Sequence, residues 1–151
     1  LNLKDSELWI VGLIKKKDAE KYVNLKDNNI FFGSVNEFEL PGFYNKSSIF
    51  CLPTLTDSGP MVIPQAMACG LPVVSTRSCI APDLITDGED GFIIERRDTR
   101  AVSEKIKFLY ENPDARALMG MRARKKIEDK FSWDLVAEKI INFYADKSDF
   151  V

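Results

Sequence analysis

A loop rich in glycine and proline, followed by a short apolar stretch, constrains this chain more than any other segment. The sequence of residues 57–76, DSGPMVIPQAMACGLPVVST, predicts a loop, a short helix, a glycine stop and an apolar strand. The apolar run SIFCLP at 48–53 precedes it and is typical of a strand buried on both faces of a parallel sheet. Strand, loop, helix and strand form one βαβ unit, in which ligands bind beyond the carboxyl ends of the strands.

The charge of this segment suits an anionic ligand. Residues 58–82 contain no Asp or Glu, although the chain has 23 acidic residues, and Arg77 is the one cation among them. Free backbone N–H groups ahead of the predicted helix favour a phosphate. Gly59 has no side chain to keep an anion away from the backbone, and it can adopt conformations that other residues avoid. The alternative is that Gly59 only makes a turn.

The predicted helix has no solvated face, which predicts burial between the sheet and the interior. Gln65 is the polar exception, and a buried amide without a partner costs about 1–3 kcal/mol. We therefore expect Gln65 to face a polar ligand or backbone, on the same site as Asp57. Pro64 lacks an N–H, which predicts a late helix start or an unpaired carbonyl near Pro60. The apolar residues of the helix are Val62, Ile63, Ala66, Met67 and Ala68.

This segment resembles the signature of the retaining family-four glycosyltransferases (glycosyltransferase group 1) of the GT-B fold. In that signature an acidic residue, seven others and a glutamate precede Ala-Met-Ala-x-Gly-x-Pro-Val-Val, so Asp57 matches the first acidic position and Gln65 the second. The resemblance implies that Asp57 lies by the donor sugar and the reacting centre, and that Gln65 meets the nucleotide ribose. It also implies that the backbone around Ser58, Gly59 and Met61 lines the diphosphate.

Two departures from the signature change the expected donor affinity. Asp57 keeps the negative charge on a side chain one methylene shorter than glutamate. Gln65 replaces a carboxylate that would accept charge-assisted hydrogen bonds from the ribose hydroxyls. Because such bonds are roughly twice as strong as neutral ones, we expect the donor affinity to fall by about 1–2 kcal/mol. A further departure is Ser78 and Cys79, where the family has a glycine pair.

A second segment resembles the part of the family that lies by the nucleotide base. The sequence NIFFGSVNE at 29–37 predicts a strand followed by a turn at Gly33. The resemblance implies that Gly33, Ser34 and Val35 contact the base through their backbone and apolar atoms.

The rest of the chain alternates strands and helices, which predicts an α/β Rossmann-like three-layer domain with a parallel sheet. Lysines at 15–17 follow the first strand and either meet a phosphate or lie in a solvated loop. The basic run RARKK at 122–126 is expected on a solvated helix face, in preference to one that contacts a membrane. Further predictions are a buried strand in 7–12, a strand at 92–95, helices from Pro41 and Pro82, and helices at 99–110, 114–130 and 133–146, with Asp83, Thr99 and Ser132 as caps.

Composition excludes several classes of function. The 151 residues, 45% hydrophobic, fit one globular domain, and a net charge of -2 gives no electrostatic case for nucleic-acid binding. No apolar run spans a membrane and no signal sequence is present, so the expected location is the cytoplasm. The chain has no histidine, which excludes imidazole metal sites and histidine-based triads. Cys51 and Cys69 are expected in the core, and Cys79 in a loop without a base beside it.

The resemblance covers residues 8–146 and identifies the chain as the C-terminal, nucleotide-sugar-binding domain of a two-domain GT-B glycosyltransferase. It implies transfer of a sugar from a nucleotide-diphosphate sugar to a hydroxyl acceptor, with retention and without a metal or cofactor. The acceptor-binding N-terminal domain and a first donor-domain strand are absent, so residues 1–151 are expected to be a fragment that is inactive alone. The full-length parent is a candidate for peripheral membrane contact.

Several alternatives stay open. A noncatalytic nucleotide-sugar-binding or regulatory module would keep the fold, and the departures at Gln65 and Pro64 favour it. A plain interaction domain would bind no nucleotide. A GT-B epimerase or phosphorylase is disfavoured, because the former relies on histidine and the latter on a pyridoxal lysine, and neither signature is present. Dinucleotide and ATP enzymes are disfavoured by the absence of G-x-G-x-x-G and P-loop strings.

Overall fold

The structure, a computed structural model, describes residues 3–12 and 29–145. The lysine cluster at 15–17 and the short helix predicted beside it lie outside these residues. By its internal contacts the chain divides into two compact units, Leu1–Lys46 and Ser47–Val151.

The first unit holds two parallel strands and a helix. Strand β1, Leu8–Val11, pairs with strand β2, Asn29–Phe32, and helix α1, Leu40–Lys46, follows. The rings of Trp9 and Phe43 meet edge to face at 6.0 Å between centroids. Leu8 is 50% exposed, and Trp9, Ile10 and Val11 are half-buried. The strand is therefore partly exposed and not buried as predicted.

The second unit is built on a three-stranded parallel sheet. Strands β3, Phe50–Leu52, β4, Val73–Thr76, and β5, Gly91–Ile94, lie in the order β3-β4-β5. All four residues of β4 are buried, and since they alternate between the two faces, the sheet is covered on both sides. The predicted α/β fold with parallel strands is confirmed, and the five strands found among the described residues form two sheets, one in each unit.

Helices cover this sheet. The helix Val62–Ala68 contacts β3 and β4, which it connects, and the helix Thr99–Glu111 contacts β4 and β5. The core between sheet and helices includes Val74, Phe92 and Leu109. The helices of the second unit among the described residues are α2, Val62–Ala68; α3, Ala81–Leu84; α4, Thr99–Glu111; α5, Pro113–Lys130; and α6, Trp133–Ala145.

The helix caps differ in part from those predicted. The carboxylate of Asp98, and not Thr99, caps α4 by accepting the N–H of Ala101 at 2.8 Å. Helix α3 has no side-chain cap, because Asp83 is its third residue and not the residue before it. The predicted cap at Ser132 is confirmed, since its hydroxyl accepts the N–H of Leu135 at 3.4 Å.

The predicted glycine stop of α2 is confirmed. Gly70 has a φ of 77°, which favours glycine, and its N–H donates to the carbonyl of Met67 at 2.9 Å. The N–H of Leu71 donates to the carbonyl of Ala66 at 3.1 Å, which completes a Schellman motif. Helix α5 crosses directly over this turn, and a Cβ atom at Gly120 would clash with the carbonyl oxygen of Gly70. Gly120 therefore allows α5 to approach the end of α2, whereas Gly70 provides the left-handed turn.

A buried ion pair also holds α5. Lys126 pairs with Asp90, whose side chain is only 4% exposed, and its Nζ donates to the carbonyl of Leu84 at 3.0 Å and to Oγ1 of Thr86 at 2.6 Å. Asp90 in turn accepts the N–H of Thr86 at 2.8 Å. The prediction of a solvated face is wrong for Lys126, because this lysine joins α5 to the loop ahead of β5. The exposed members of the basic run are Arg122, Arg124 and Lys125.

Helix α6 buries none of its residues against the described part of the chain. Trp133 is 79% exposed and Ile141 66%. Ile140 and Tyr144, on the same helix, are also exposed, at 53% and 69%. This apolar helix face is large for a surface with no partner. Among the described helices, none combines the length and the apolar composition that a membrane span requires.

We expect Lys126→Met to lower the free energy of unfolding by about 3–5 kcal/mol, because it leaves the carboxylate of Asp90 buried without its cation. Lys125→Met is the matched control, since Lys125 pairs with Asp129 on the surface and such a pair contributes at most about 1 kcal/mol. Urea unfolding followed by circular dichroism measures both variants. Equal losses of stability would show that the buried pair does not hold α5.

Candidate functional site at the carboxyl edge of the sheet

The candidate site lies where the three strands of the second unit end. Because β3, β4 and β5 are parallel, their carboxyl ends meet at one edge of the sheet, with Leu52 opposite Ser75 and Thr76 opposite Ile94. Three connecting segments begin at this edge: the loop 53–61, the segment 77–80 and the turn 95–98.

Two hydroxyl groups at the end of β4 hold the loop 53–61. The Oγ of Ser75 donates to the carbonyl of Leu52 at 2.9 Å, and Oγ1 of Thr76 donates to the carbonyl of Thr54 at 2.7 Å. Both residues are almost fully buried. Sequence reasoning missed this role. The signal was the polar pair that ends an otherwise apolar strand, VVST.

Asp57 lies on the exposed part of this loop. Its N–H donates to the carbonyl of Ser78 at 3.3 Å, so the loop is joined to the segment 77–80. Its Oδ1 accepts the N–H of Gly59 at 3.2 Å, which forms an Asx turn. Among the residues that the structure describes, Oδ2 of Asp57 accepts no hydrogen bond. One carboxylate oxygen therefore remains available to a ligand.

Backbone donors are exposed in front of α2. Ser58, Gly59 and Met61 are all exposed. Within residues 3–12 and 29–145, the N–H groups of Ser58, Met61 and Val62 have no acceptor. Gly59 does not adopt a left-handed conformation, so the conformational freedom of a glycine is not used at this position. A Cβ atom at Gly59 would meet open space, which leaves the backbone accessible from that side.

Gln65 lies on the exposed face of α2 with Met61 and Ala68. The prediction that this helix has no solvated face is wrong. Met61, Gln65 and Ala68 are four and three positions apart, so they form one stripe along the helix. This stripe is exposed because the sheet and α5 cover only the opposite side. The buried residues on that opposite side are Ile63, Ala66 and Met67.

Pro64 is accommodated by its position in the first turn of α2. The N–H groups of a first turn have no partner within the helix, so the missing N–H of proline is not needed there. The carbonyl of Pro60 accepts the N–H of Ile63 at 3.1 Å and is not left unpaired. Of the two predicted outcomes, the helix start just ahead of Pro64 is the one observed.

The candidates for the nucleotide base belong to the first unit. Gly33 and Ser34 are exposed and Val35 is half-buried, directly after β2. The carbonyl of Gly33 accepts the N–H of Gly12 at 3.3 Å. Their contact with a base stays a prediction. The other site candidates, Asp57, Ser58, Gly59, Met61 and Gln65, belong to the second unit.

Arg77 has an acidic partner that the local sequence does not contain. Its Nε lies 3.1 Å from Oε1 of Glu95, which follows β5. The pairing joins the segment after β4 to the turn after β5. Because the two residues are 18 positions apart, the acid-free run at 58–82 gave no sign of it.

Two adjoining clefts open at this edge. The larger, of about 470 Å³, is the more apolar and includes Ile94 and Val102. The other, of about 320 Å³, is lined by Leu55, Thr56, Arg77, Ser78, Glu95 and Arg96. Neither is lined by Asp57 or Gln65. Thr56 and Ser78 nevertheless place the smaller cleft, hereafter the arginine cleft, directly beside Asp57.

The cysteines have structural surroundings. Burial raises the pKa of the Cys51 thiol to about 11. Burial also raises the pKa of Cys69, against the opposing effect of the positive charge of Arg124. The Sγ of Cys79 lies 3.4 Å from the carbonyl of Thr76, with no base among its described contacts. In the described residues no group of three or more Cys, Asp or Glu side chains could hold a metal ion.

The parallel sheet, its covering helices and the loop-bearing carboxyl edge define a Rossmann-like domain of the GT-B type. The chain belongs to the family described as "Glycosyl transferases group 1", whose family model matches residues 2–126. The resemblance seen in DSGPMVIPQAMACGLPVVST is thereby confirmed at the level of the family.

Relatives and solved structures agree with this family. The capsular polysaccharide biosynthesis glycosyltransferase CapM of Staphylococcus aureus is 35% identical over 141 residues, covering 91% of this chain and 37% of CapM. Sucrose-phosphate synthase of Thermosynechococcus elongatus has a TM-score of 0.86 at 21% identity, covering 95% of this chain and 39% of that one. Anabaena HepE, solved in complex with UDP, has a TM-score of 0.81 at 20% identity, covering 91% and 40%. The chain thus spans less than half of each.

We expect Cys51 to resist alkylation at pH 8. A thiol with a pKa of about 11 instead of 9.0 holds about 100-fold less thiolate at that pH, and only the thiolate reacts. The rate should rise as the pH approaches the raised pKa. Iodoacetamide labelling with peptide mass spectrometry measures the rate, with the same chain unfolded in urea as control. A folded-state rate equal to the unfolded rate would contradict the burial of this thiol.

Proposed function

We propose that this chain is the nucleotide-sugar-binding domain of a glycosyltransferase that transfers a sugar to a hydroxyl acceptor with retention, without a metal ion or cofactor. Membership of the glycosyl transferases group 1 family carries the proposal. The exposure of Asp57 and Gln65 at the carboxyl edge of the sheet supports it, since a donor site must be open to the nucleotide sugar.

In this proposal, the backbone N–H groups of residues 58–62 bind the diphosphate. Negative charge grows on the diphosphate as the bond to the sugar breaks, and N–H groups aimed at it stabilise that charge. The N–H groups of Ser58, Met61 and Val62 have no acceptor among the described residues and are suited to this role. The UDP complex of the similarly folded HepE supports a nucleotide as the ligand.

Two side chains then position the donor. The free carboxylate oxygen of Asp57 is suited to accept a hydrogen bond from a hydroxyl of the sugar. The amide of Gln65 offers the ribose an acceptor and a donor in place of the carboxylate of the family signature. Neither side chain is a nucleophile or base in this scheme, and we propose that activation of the acceptor comes from elsewhere in the parent enzyme.

We further propose that residues 1–151 are the C-terminal domain of a longer protein with an acceptor-binding N-terminal domain. The 37% coverage of CapM supports this. So does the exposed apolar face of α6, with Trp133 79% and Tyr144 69% exposed. The polar face of the helix carries Asp134, Glu138 and Lys139, a net negative charge, whereas membrane-binding helices are rich in Lys and Arg. The charge therefore favours a protein partner over peripheral contact with an anionic membrane.

A noncatalytic module that binds nucleotide sugars is the second candidate. The amide at Gln65 favours it, because the loss of a charge-assisted bond weakens donor binding. Both candidates predict nucleotide binding by the chain. Release of free or transferred sugar by the full-length parent would separate them, because a regulatory module releases none.

We expect the chain to bind one of UDP, GDP and ADP in a calorimetric titration, and Gln65→Glu to tighten that binding by about tenfold, because a carboxylate accepts stronger hydrogen bonds from ribose hydroxyls. With the 2′,3′-dideoxy nucleotide the gain should disappear. Asn142→Asp, on α6, is the matched control, since it makes the same change of amide to acid outside the site. The ribose contact is refuted if the dideoxy nucleotide shows the same gain.

We expect the purified 151-residue chain to transfer no sugar on its own, because the residues that the structure describes supply no group suited to activate an acceptor. A radiolabelled nucleotide-sugar assay with the full-length parent as positive control measures this. Turnover by the chain at a rate comparable with that of the parent would show that the acceptor side is not required.

A further inference from the structure

We propose that the arginine cleft binds an anionic group of a substrate, a carboxylate or a phosphate, separate from the nucleotide diphosphate. This inference rests on the proposed function, since it takes a sugar donor or acceptor to enter beside Asp57. The cleft holds about 320 Å³, enough for such a group with part of the sugar or alcohol that carries it.

The lining of the cleft has two cations and one anion. Arg77 enters from the segment after β4, and Arg96 from the turn after β5. Glu95 engages Arg77 only through Nε, at 3.1 Å. The terminal nitrogens of Arg77, and the whole guanidinium of Arg96, donate no hydrogen bond to any described residue. The planar fork of a guanidinium matches the oxygens of a carboxylate or phosphate, so these free donors suit an oxyanion.

The pair of Arg77 and Glu95 is suited to exchange. Their side chains are 62% and 71% exposed, and pairs of this kind contribute little to stability. An incoming anion can therefore replace Glu95 at Arg77 without loosening the fold. The buried pair of Lys126 and Asp90 on the same domain cannot exchange in this way, because Asp90 is almost inaccessible.

Backbone hydrogen bonds fix the main-chain positions of both arginines. The N–H of Arg77 donates to the carbonyl of Ile94 at 3.1 Å, which continues the pairing of β4 with β5. The turn that carries Arg96 is closed by the N–H of Asp98, which donates to the carbonyl of Glu95 at 3.3 Å. Within this turn Arg97 has a φ of 63°, a conformation that few residues other than glycine adopt. The two side chains thus extend from a defined edge of the sheet.

The position of the cleft indicates which part of a substrate would enter it. Ser78 lines the cleft, and its carbonyl accepts the N–H of Asp57 at 3.3 Å. Asp57 is the residue proposed to hold the transferred sugar. An anion in the cleft would therefore belong to that sugar, as a carboxylate, or to the acceptor beside it, as a phosphate. Thr56 and Ser78 add hydroxyl donors suited to either group.

The test is a titration of the isotope-labelled chain with inorganic phosphate at constant ionic strength, followed by the Nε–H signals of the arginines in NMR spectra. We expect Arg77→Gln and Arg96→Gln each to weaken binding by about tenfold, because each removes charge-assisted hydrogen bonds. Glu95→Gln should tighten it by about threefold, because the competing carboxylate is removed. Arg124→Gln, which loses only an exposed pair with Glu128, should bind as the wild type does.

Phosphate binding that is unchanged in Arg77→Gln and Arg96→Gln, or weakened in Glu95→Gln, overturns the inference. Titration with glucuronate, compared with glucose, tests for a carboxylate on the transferred sugar. Titration with glycerol 3-phosphate, compared with glycerol, tests for a phosphate on the acceptor. Binding of either anion in preference to its neutral partner supports the site, and binding of neither overturns it. A UDP titration, with Arg96→Gln beside the wild type, separates the two proposals. If both chains bind UDP but phosphate does not bind in the arginine cleft, only this inference is refuted. If phosphate binds in the cleft but neither chain binds UDP, the proposed function is refuted.

Discussion

The candidate site depends on two buried hydroxyl groups that hold its loop to the sheet. Ser75 and Thr76 end β4, and their side chains donate to the carbonyls of Leu52 and Thr54 at 2.9 and 2.7 Å. The carbonyls of Leu52 and Thr54, where the chain leaves β3, are partly buried, and leaving such groups without donors is unfavourable. Because the hydroxyls satisfy them, the chain can turn sharply after β3 and place Asp57 on the surface. The exposure of the backbone donors that follow is a consequence of this attachment.

Charged pairs on this domain serve two different purposes, and burial distinguishes them. Asp90 is almost inaccessible and Lys126 is mostly buried, and each makes further hydrogen bonds, so loss of Lys126 leaves an uncompensated charge inside the protein. This pair fixes α5, which also contacts α2 below the site. Arg77 and Glu95 are mostly exposed and joined by one hydrogen bond. The first pair is therefore a structural element, whereas the second leaves donors available to a ligand.

Features set by residues close in sequence could be predicted, and features set by distant residues could not. The strand, loop, helix and glycine stop around residues 57–76 follow from local signals, and Gly70 adopts the left-handed conformation that a helix stop requires. The partners of Arg77 and Lys126 are 18 and 36 positions away, so no local pattern identifies them. The exposed face of α2 was missed for a related reason. Apolar residues such as Met61 surround the helix, and only the tertiary packing decides which of them are covered.

The openness of the site bears directly on the proposed chemistry. Backbone N–H groups stabilise a departing diphosphate strongly only where water is excluded, since in bulk water the same interaction is weaker by the ratio of the dielectric constants. Residues 57–59, Met61 and the stripe of α2 that carries Gln65 are exposed, so the N–H groups of residues 58–62 alone offer little of this stabilisation. A second surface that closes over them would exclude the water and bring the acceptor to Asp57. The proposed reaction therefore requires such a surface because of the electrostatics of the loop, independently of the apolar face of α6.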